Sequence, residues 1–82
     1  MADQEIGTVA QYFSKAGVAA IELTGSIKVG DNIHIKGHTT DLTQTVSSMQ
    51  IDKNVVKEAS GGDAVGIKVN DRVRPGDKVY KL

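Results

Sequence analysis

Apolar and polar residues alternate along most of this chain with a period near two, in short runs separated by breaks rich in Gly, Ser and Asp. The alternation predicts strands. Ile6 to Phe13 reads as a first strand ended by Ser14-Lys15-Ala16-Gly17, and Val18 to Leu23 as a second ended by Thr24-Gly25-Ser26. Asn32 to Lys36 sets Ile33 and Ile35 on one face, with His34 and Lys36 on the other. Val65, Ile67 and Val69 share a face of a later strand, and Lys78 to Leu82 forms the last. Between Leu42 and Ala59 the pattern is mixed. Leu42, Val46 and Met49 fall at helical spacing, but the stretch is β-branched and rich in Ser and Thr, which favours strand. Thr43 to Asp52 is therefore expected as one strand carrying a bulge, followed by a short strand or turn at Asn54 to Val56.

One phrase recurs at the strand starts. Ile27-Lys28-Val29-Gly30-Asp31-Asn32-Ile33 and Val73-Arg74-Pro75-Gly76-Asp77-Lys78-Val79 share the order apolar, basic, any, Gly, Asp, polar, apolar. A third Gly-Asp, at Gly62-Asp63, opens the run from Ala64 to Val69. Each Gly occupies the third position of a four-residue turn, where a type II turn requires a positive φ, and Pro75 presets the residue before Gly76. The carboxylates of Asp31, Asp63 and Asp77 are explained by these turns. With six or seven short strands and no helical pattern long enough to cover an edge, closing the sheet avoids unpaired backbone groups. The expected fold is all-β: a small closed antiparallel β-barrel of six to seven strands, occupying residues 1–82 as a single domain.

Composition narrows the function. The chain has 82 residues and no Cys, so neither a disulfide nor a thiolate metal site supports its small core. Its start, from Met1 to Glu5, lacks the pattern of a signal peptide, and no run approaches a membrane span, so a cytoplasmic location and no membrane partner are expected. Formal charge balances at zero, which removes the global basic footprint of a protein gripping long nucleic acid. Locally, Lys68, Arg72, Arg74, Lys78 and Lys81 outnumber Asp71 and Asp77.

The opening Ile6-Gly7-Thr8-Val9, the Thr24-to-Asp31 turn, the stretch from Val46 through Gly62-Asp63-Ala64-Val65-Gly66, and Val73-to-Asp77 together resemble the β-barrel second domain of translation GTPases such as elongation factor Tu. More closely, the chain resembles stand-alone elongation-factor-like short proteins. It is also similar to barrels appended to some collagenase-type peptidases or tRNA-modifying proteins, which share its Gly-Asp-x-Ile-x-Ile-x-Gly phrasing. The translation-factor resemblance implies a translation- or RNA-associated accessory module. Departures limit it. No phosphate loop of the Gly-x-x-x-x-Gly-Lys-Ser/Thr type exists, so GTP binding is not expected. Gln50 and Ala64 stand where the resemblance implies an acidic residue and an Asn that contact aminoacylated tRNA.

Two places gather polar groups beyond what turns require. The segment Lys36-Gly37-His38-Thr39-Thr40-Asp41 offers a cation, an imidazole, hydroxyls and a carboxylate, and Lys68, Arg72 and Arg74 form a candidate basic face. Lys36, His38, Thr39, Thr40, Asp41, Lys68, Arg72 and Arg74 are the expected partner-binding residues. No catalytic residue, metal site or cofactor is expected: Ser47, Ser48 and Ser60 lack a patterned base, and His34, His38 and Asp41 on a strand and loop do not converge as helical ligands would. The sequence thus points to a chain that is not an enzyme and binds structured RNA or a ribonucleoprotein. The alternative is a protein-interaction subunit docking on a separate enzyme, peptidase-like or tRNA-modifying, without RNA contact.

Overall fold

A computed structural model describes residues 4–52 and 54–82; the reading of the chain's first three residues lies outside this range. Ten strands follow in order: β1 (Gln4–Phe13), β2 (Val18–Leu23), β3 (Ile27–Lys28), β4 (Asn32–Lys36), β5 (Asp41–Thr45), β6 (Met49–Ile51), β7 (Asn54–Val56), β8 (Glu58–Ala59), β9 (Ala64–Lys68) and β10 (Lys78–Lys81). Among the described residues there is no helix.

The three Gly-Asp phrases form the same turn. Gly30, Gly62 and Gly76 have φ of 99°, 96° and 94°. In each turn the Asp N–H donates to the carbonyl three residues back, at 3.1 Å on Lys28, 3.0 Å on Ser60 and 3.1 Å on Arg74. The same Asp carboxylate accepts the N–H of that first residue, at 3.0, 3.1 and 2.9 Å respectively. The Asp thus closes the turn from both sides and delivers the chain directly into β4, β9 and β10.

Eight strands form one antiparallel sheet in the order β5-β4-β10-β1-β2-β9-β6-β7, while β3 and β8 pair separately. The long β1 serves as the spine. Its register shifts between Glu5 and Gly7 and again between Val9 and Gln11, which bends the strand and lets both Ile6 and Val9 reach the core although they are three residues apart. Inward pairs then run across the sheet: Ile21 faces Val65, Ala19 faces Ile67, Ile67 faces Met49, and Val79 faces Ile35. All of these are essentially inaccessible to solvent.

The expected closed barrel of six to seven strands is not what forms. The sheet is an open, curled half-barrel whose edges lie 15 Å apart, far beyond the roughly 4.8 Å of hydrogen-bonded neighbours. The reason lies in the segment expected as one strand from Thr43 to Asp52. Residues 46–48 leave the strand conformation, so β5 pairs with β4 at one end of the sheet while β6 pairs with β9 and β7 at the other. Val46 is buried, its N–H bonded to the Asp31 carbonyl and its own carbonyl bonded to the Gly30 N–H. That crossing satisfies the backbone without continuing a ladder. A side chain then ties the curl: buried Gln44 of β5 donates from Nε2 to the Lys68 carbonyl at 2.9 Å and accepts the Asn70 N–H at 2.8 Å.

Candidate docking surface

The β4–β5 hairpin presents the first group of expected residues unevenly. The Gly37 N–H donates to the Thr40 carbonyl at 2.8 Å, and Thr40 is buried at 6% exposure. Lys36, His38 and Thr39 are exposed. Asp41 is turned to His34 across the hairpin, with 2.5 Å between Oδ1 and Nε2. Gly37 lies directly against the Asp77 carboxylate, which anchors the hairpin on the third Gly-Asp turn.

Asp77 also accepts the Arg74 N–H, so the hairpin and the arginine segment meet at one end of the fold. Arg72 and Arg74 are exposed on either side of Val73, which is buried at 1%. Three exposed residues, Asn70 to Arg72, separate buried Val69 from buried Val73, and the segment is not a strand. With Gln11, Tyr12, Ser14, Val73 and Pro75 the two arginines line a shallow recess. Lys68 is exposed at the end of β9 but does not line it. Tyr12 packs on the core and Phe13, its neighbour on β1, is exposed.

Two other recesses flank the β3–β8 pair. One brings Lys28, Asp31, Glu58, Ser60, Asp63 and Lys81 together. Its two aspartates are engaged: Asp31 in its turn and 3.6 Å from the Lys81 ammonium, Asp63 in its own turn. The other is a groove beside edge strand β7, lined by Val29, Ser47, Ser48, Val55 and Val56 among others. Val55 is 74% exposed there. The sequence marks Asn54 to Val56 as a short strand, but nothing local marks it as the last strand of an open sheet. Among the described residues no three His, Cys, Asp or Glu side chains cluster as metal ligands.

No family model matches the chain. It is 47% identical over 79 residues to an uncharacterised protease of Methanocaldococcus jannaschii, covering 95% of this chain and 19% of that protein. It is 37% identical over 79 residues to a collagenase of Porphyromonas gingivalis, covering 94% of this chain and 22% of the relative. The chain thus spans about a fifth of the length of the curated relatives it matches. Its fold superposes, at a TM-score of 0.90 and 21% identity, on the C-terminal domain of a Geobacillus thermoleovorans protein assigned to the U32 peptidases, covering 95% of this chain and 99% of that domain. A second structure of that domain gives the same score, with 96% of this chain covered.

These relatives overturn three expectations. The resemblance to translation-factor barrels gives way to similarity with a peptidase domain, in line with the lesser resemblance to barrels appended to collagenase-type peptidases. The RNA-associated reading falls with it, because nothing in the relatives' descriptions or in the fold match points to RNA or a ribonucleoprotein. The expectation of a chain that is not an enzyme is corrected too, since its relatives are a protease and collagenases of which it matches one segment. Gly-Asp turns were the misleading signal: they start strands in any small curled sheet and carry no chemistry of their own.

Proposed function

We propose that this chain is a protein-docking domain that works with a U32-type peptidase, holding either the peptidase polypeptide or a polypeptide brought to it. The observation that carries the reading is the extent of the match. Nearly all of this chain aligns with one fifth of a protease, and nearly all of a separately solved peptidase C-terminal domain superposes on it. A unit of this size with recesses among its described residues, exposed Val55 and Phe13, and two exposed arginines has the makings of an interface.

The test is binding in trans. The Methanocaldococcus jannaschii relative, purified without its homologous 79-residue segment, is titrated against the fluorescently labelled chain after nuclease treatment of both. Saturable binding unaffected by nuclease is expected. Absence of binding, or binding that nuclease abolishes, would overturn the proposal.

A further inference from the structure

The recess at Arg72 and Arg74 contains two positive charges and no acidic lining residue. The acids nearest in sequence do not neutralise it. Asp71 accepts the Arg72 N–H through Oδ1 at 2.7 Å, and buried Asp77 accepts the Arg74 N–H through Oδ2 at 2.9 Å. Both carboxylates are thus bonded to the backbone beneath the arginines. Among the described residues neither guanidinium has an ion-pair partner. The two like charges face solvent and flank buried Val73.

The backbone beneath them is fixed. Val73 is in the core, the Gly76 N–H donates to the Val9 carbonyl at 2.8 Å, and the Val9 N–H donates to the Asp77 carbonyl at 2.8 Å. Pro75 fixes its own φ and restricts Arg74 before it. The arginines therefore leave a clamped segment at i and i+2, on either side of buried Val73. Carboxylates at alternate positions of an extended peptide stand roughly 6–7 Å apart on one face, a separation that two neighbouring arginine side chains can span. Guanidinium groups bind carboxylates through paired hydrogen bonds, and the fixed backbone beneath them spares the segment its own ordering on binding. Tyr12, half-buried, supplies an aromatic wall, and Gln11 and Ser14 supply hydrogen-bonding groups along the same rim.

We infer that this recess is a docking site for an extended acidic polypeptide segment carrying carboxylates at alternate positions, Arg72 and Arg74 each taking one. The inference rests on the protein-docking reading above and names the partner's chemistry. Charge complementarity selects the occupant: two guanidinium groups with no acidic lining residue call for carboxylates supplied by the partner. Asp3 and Glu5 of a second copy of this chain also stand at alternate positions, so self-association of the chain that Arg72→Ala with Arg74→Ala abolishes would overturn the inference in that copy's favour.

Fluorescence anisotropy with a labelled peptide of alternating Glu and Val tests it, using the Gln-for-Glu peptide and a structured RNA hairpin as comparison probes. The acidic peptide is expected to bind, the Gln peptide to bind at least about 10-fold more weakly, and Arg72→Ala with Arg74→Ala to weaken acidic-peptide binding by about 10-fold or more. Lys78→Ala, at an exposed position of β10 outside the recess, is expected to leave it unchanged. Arg72→Glu with Arg74→Glu should transfer preference to an alternating Lys and Val peptide, an exchange that mere unfolding does not produce. Equal affinity for Glu and Gln peptides, an unchanged affinity in the double Ala variant, or preference for the hairpin would overturn the inference. The trans titration with the protease relative separates the two readings: binding that persists in the double Ala variant removes this site and leaves the docking function standing, whereas no binding by the unaltered chain removes the docking function.

Discussion

At the scale of single residues, two glycines show how differently the same side-chain deletion is used. Gly30 has open space around it, and what it supplies is its φ of 99°. Gly37 is the reverse: an added Cβ would lie 1.8 Å from Oδ1 and 2.5 Å from Cγ of Asp77. Asp77 has little room to retreat, being 6% exposed and bonded to the Arg74 N–H. Gly30→Ala is expected to cost about 1–2 kcal/mol through backbone strain. Gly37→Ala is expected to cost about 2–3 kcal/mol, combining overpacking with disruption of a buried hydrogen bond. Urea unfolding measures both, and a Gly37→Ala cost no larger than that of Gly30→Ala would refute the steric account. Adding Asp77→Ala to Gly37→Ala should give a sum well below the two single costs, since the clash and the lost cap involve the same carboxylate. The Gly-Asp turns were legible from sequence because a positive φ followed by a carboxylate is a local requirement; the approach of Gly37 to Asp77 was not, because it joins positions forty residues apart.

At the scale of elements, the half-barrel makes strands unequal in a way a closed barrel would not. β2 and β9 have neighbours on both sides, whereas β5 and β7 end the sheet. Hydrogen exchange should therefore protect amides of β2 and β9 most and those of β7 least, with β5 partly rescued by Gln44. Uniform protection across all eight strands would contradict an open sheet. Gln44→Leu keeps the apolar volume but leaves the Lys68 carbonyl and Asn70 N–H without their bonds, at an expected cost of about 1–3 kcal/mol and a specific rise in exchange along β5. Loss of stability spread evenly over the molecule would argue against the strap. Period-two alternation recovered β2 and β4 with their observed bounds, because each buries one face regularly. It failed at Thr43 to Asp52, where Val46 and Met49 are both buried. A bulge and a complete break present the same spacing, and only the pairing partners of β5 and β6 tell them apart.

At the scale of the whole molecule, opening the barrel does not loosen it: the radius of gyration is 11.1 Å, close to the roughly 12 Å of a compact chain of this length. Closure was not readable from the sequence because it depends on whether the first and last strands in spatial order meet, and those are β5 and β7, neither of them terminal in the chain. The candidate surface was readable in part. Arg72 and Arg74 stand out as charges without a turn role, but the surrounding Gln11, Tyr12 and Ser14 come from the other end of the chain and join them only in the fold. Net charge supplies the last discriminating argument. Formal charge is zero over the chain, so there is no global positive field to collect phosphates, and each phosphate contact contributes about one unit to the salt slope. Two arginines sustain at most a slope of about two, too little for stable RNA binding at physiological salt. The chain is therefore expected to leave the mobility of a structured RNA unchanged in a gel-shift titration at about 150 mM salt, a screening regime with a Debye length near 8 Å. It should still bind the truncated protease relative under the same conditions, because a protein interface does not depend on released counterions. A retarded RNA band there, weakened by Arg72→Ala with Arg74→Ala, would reverse the assignment of the recess from carboxylate to phosphate.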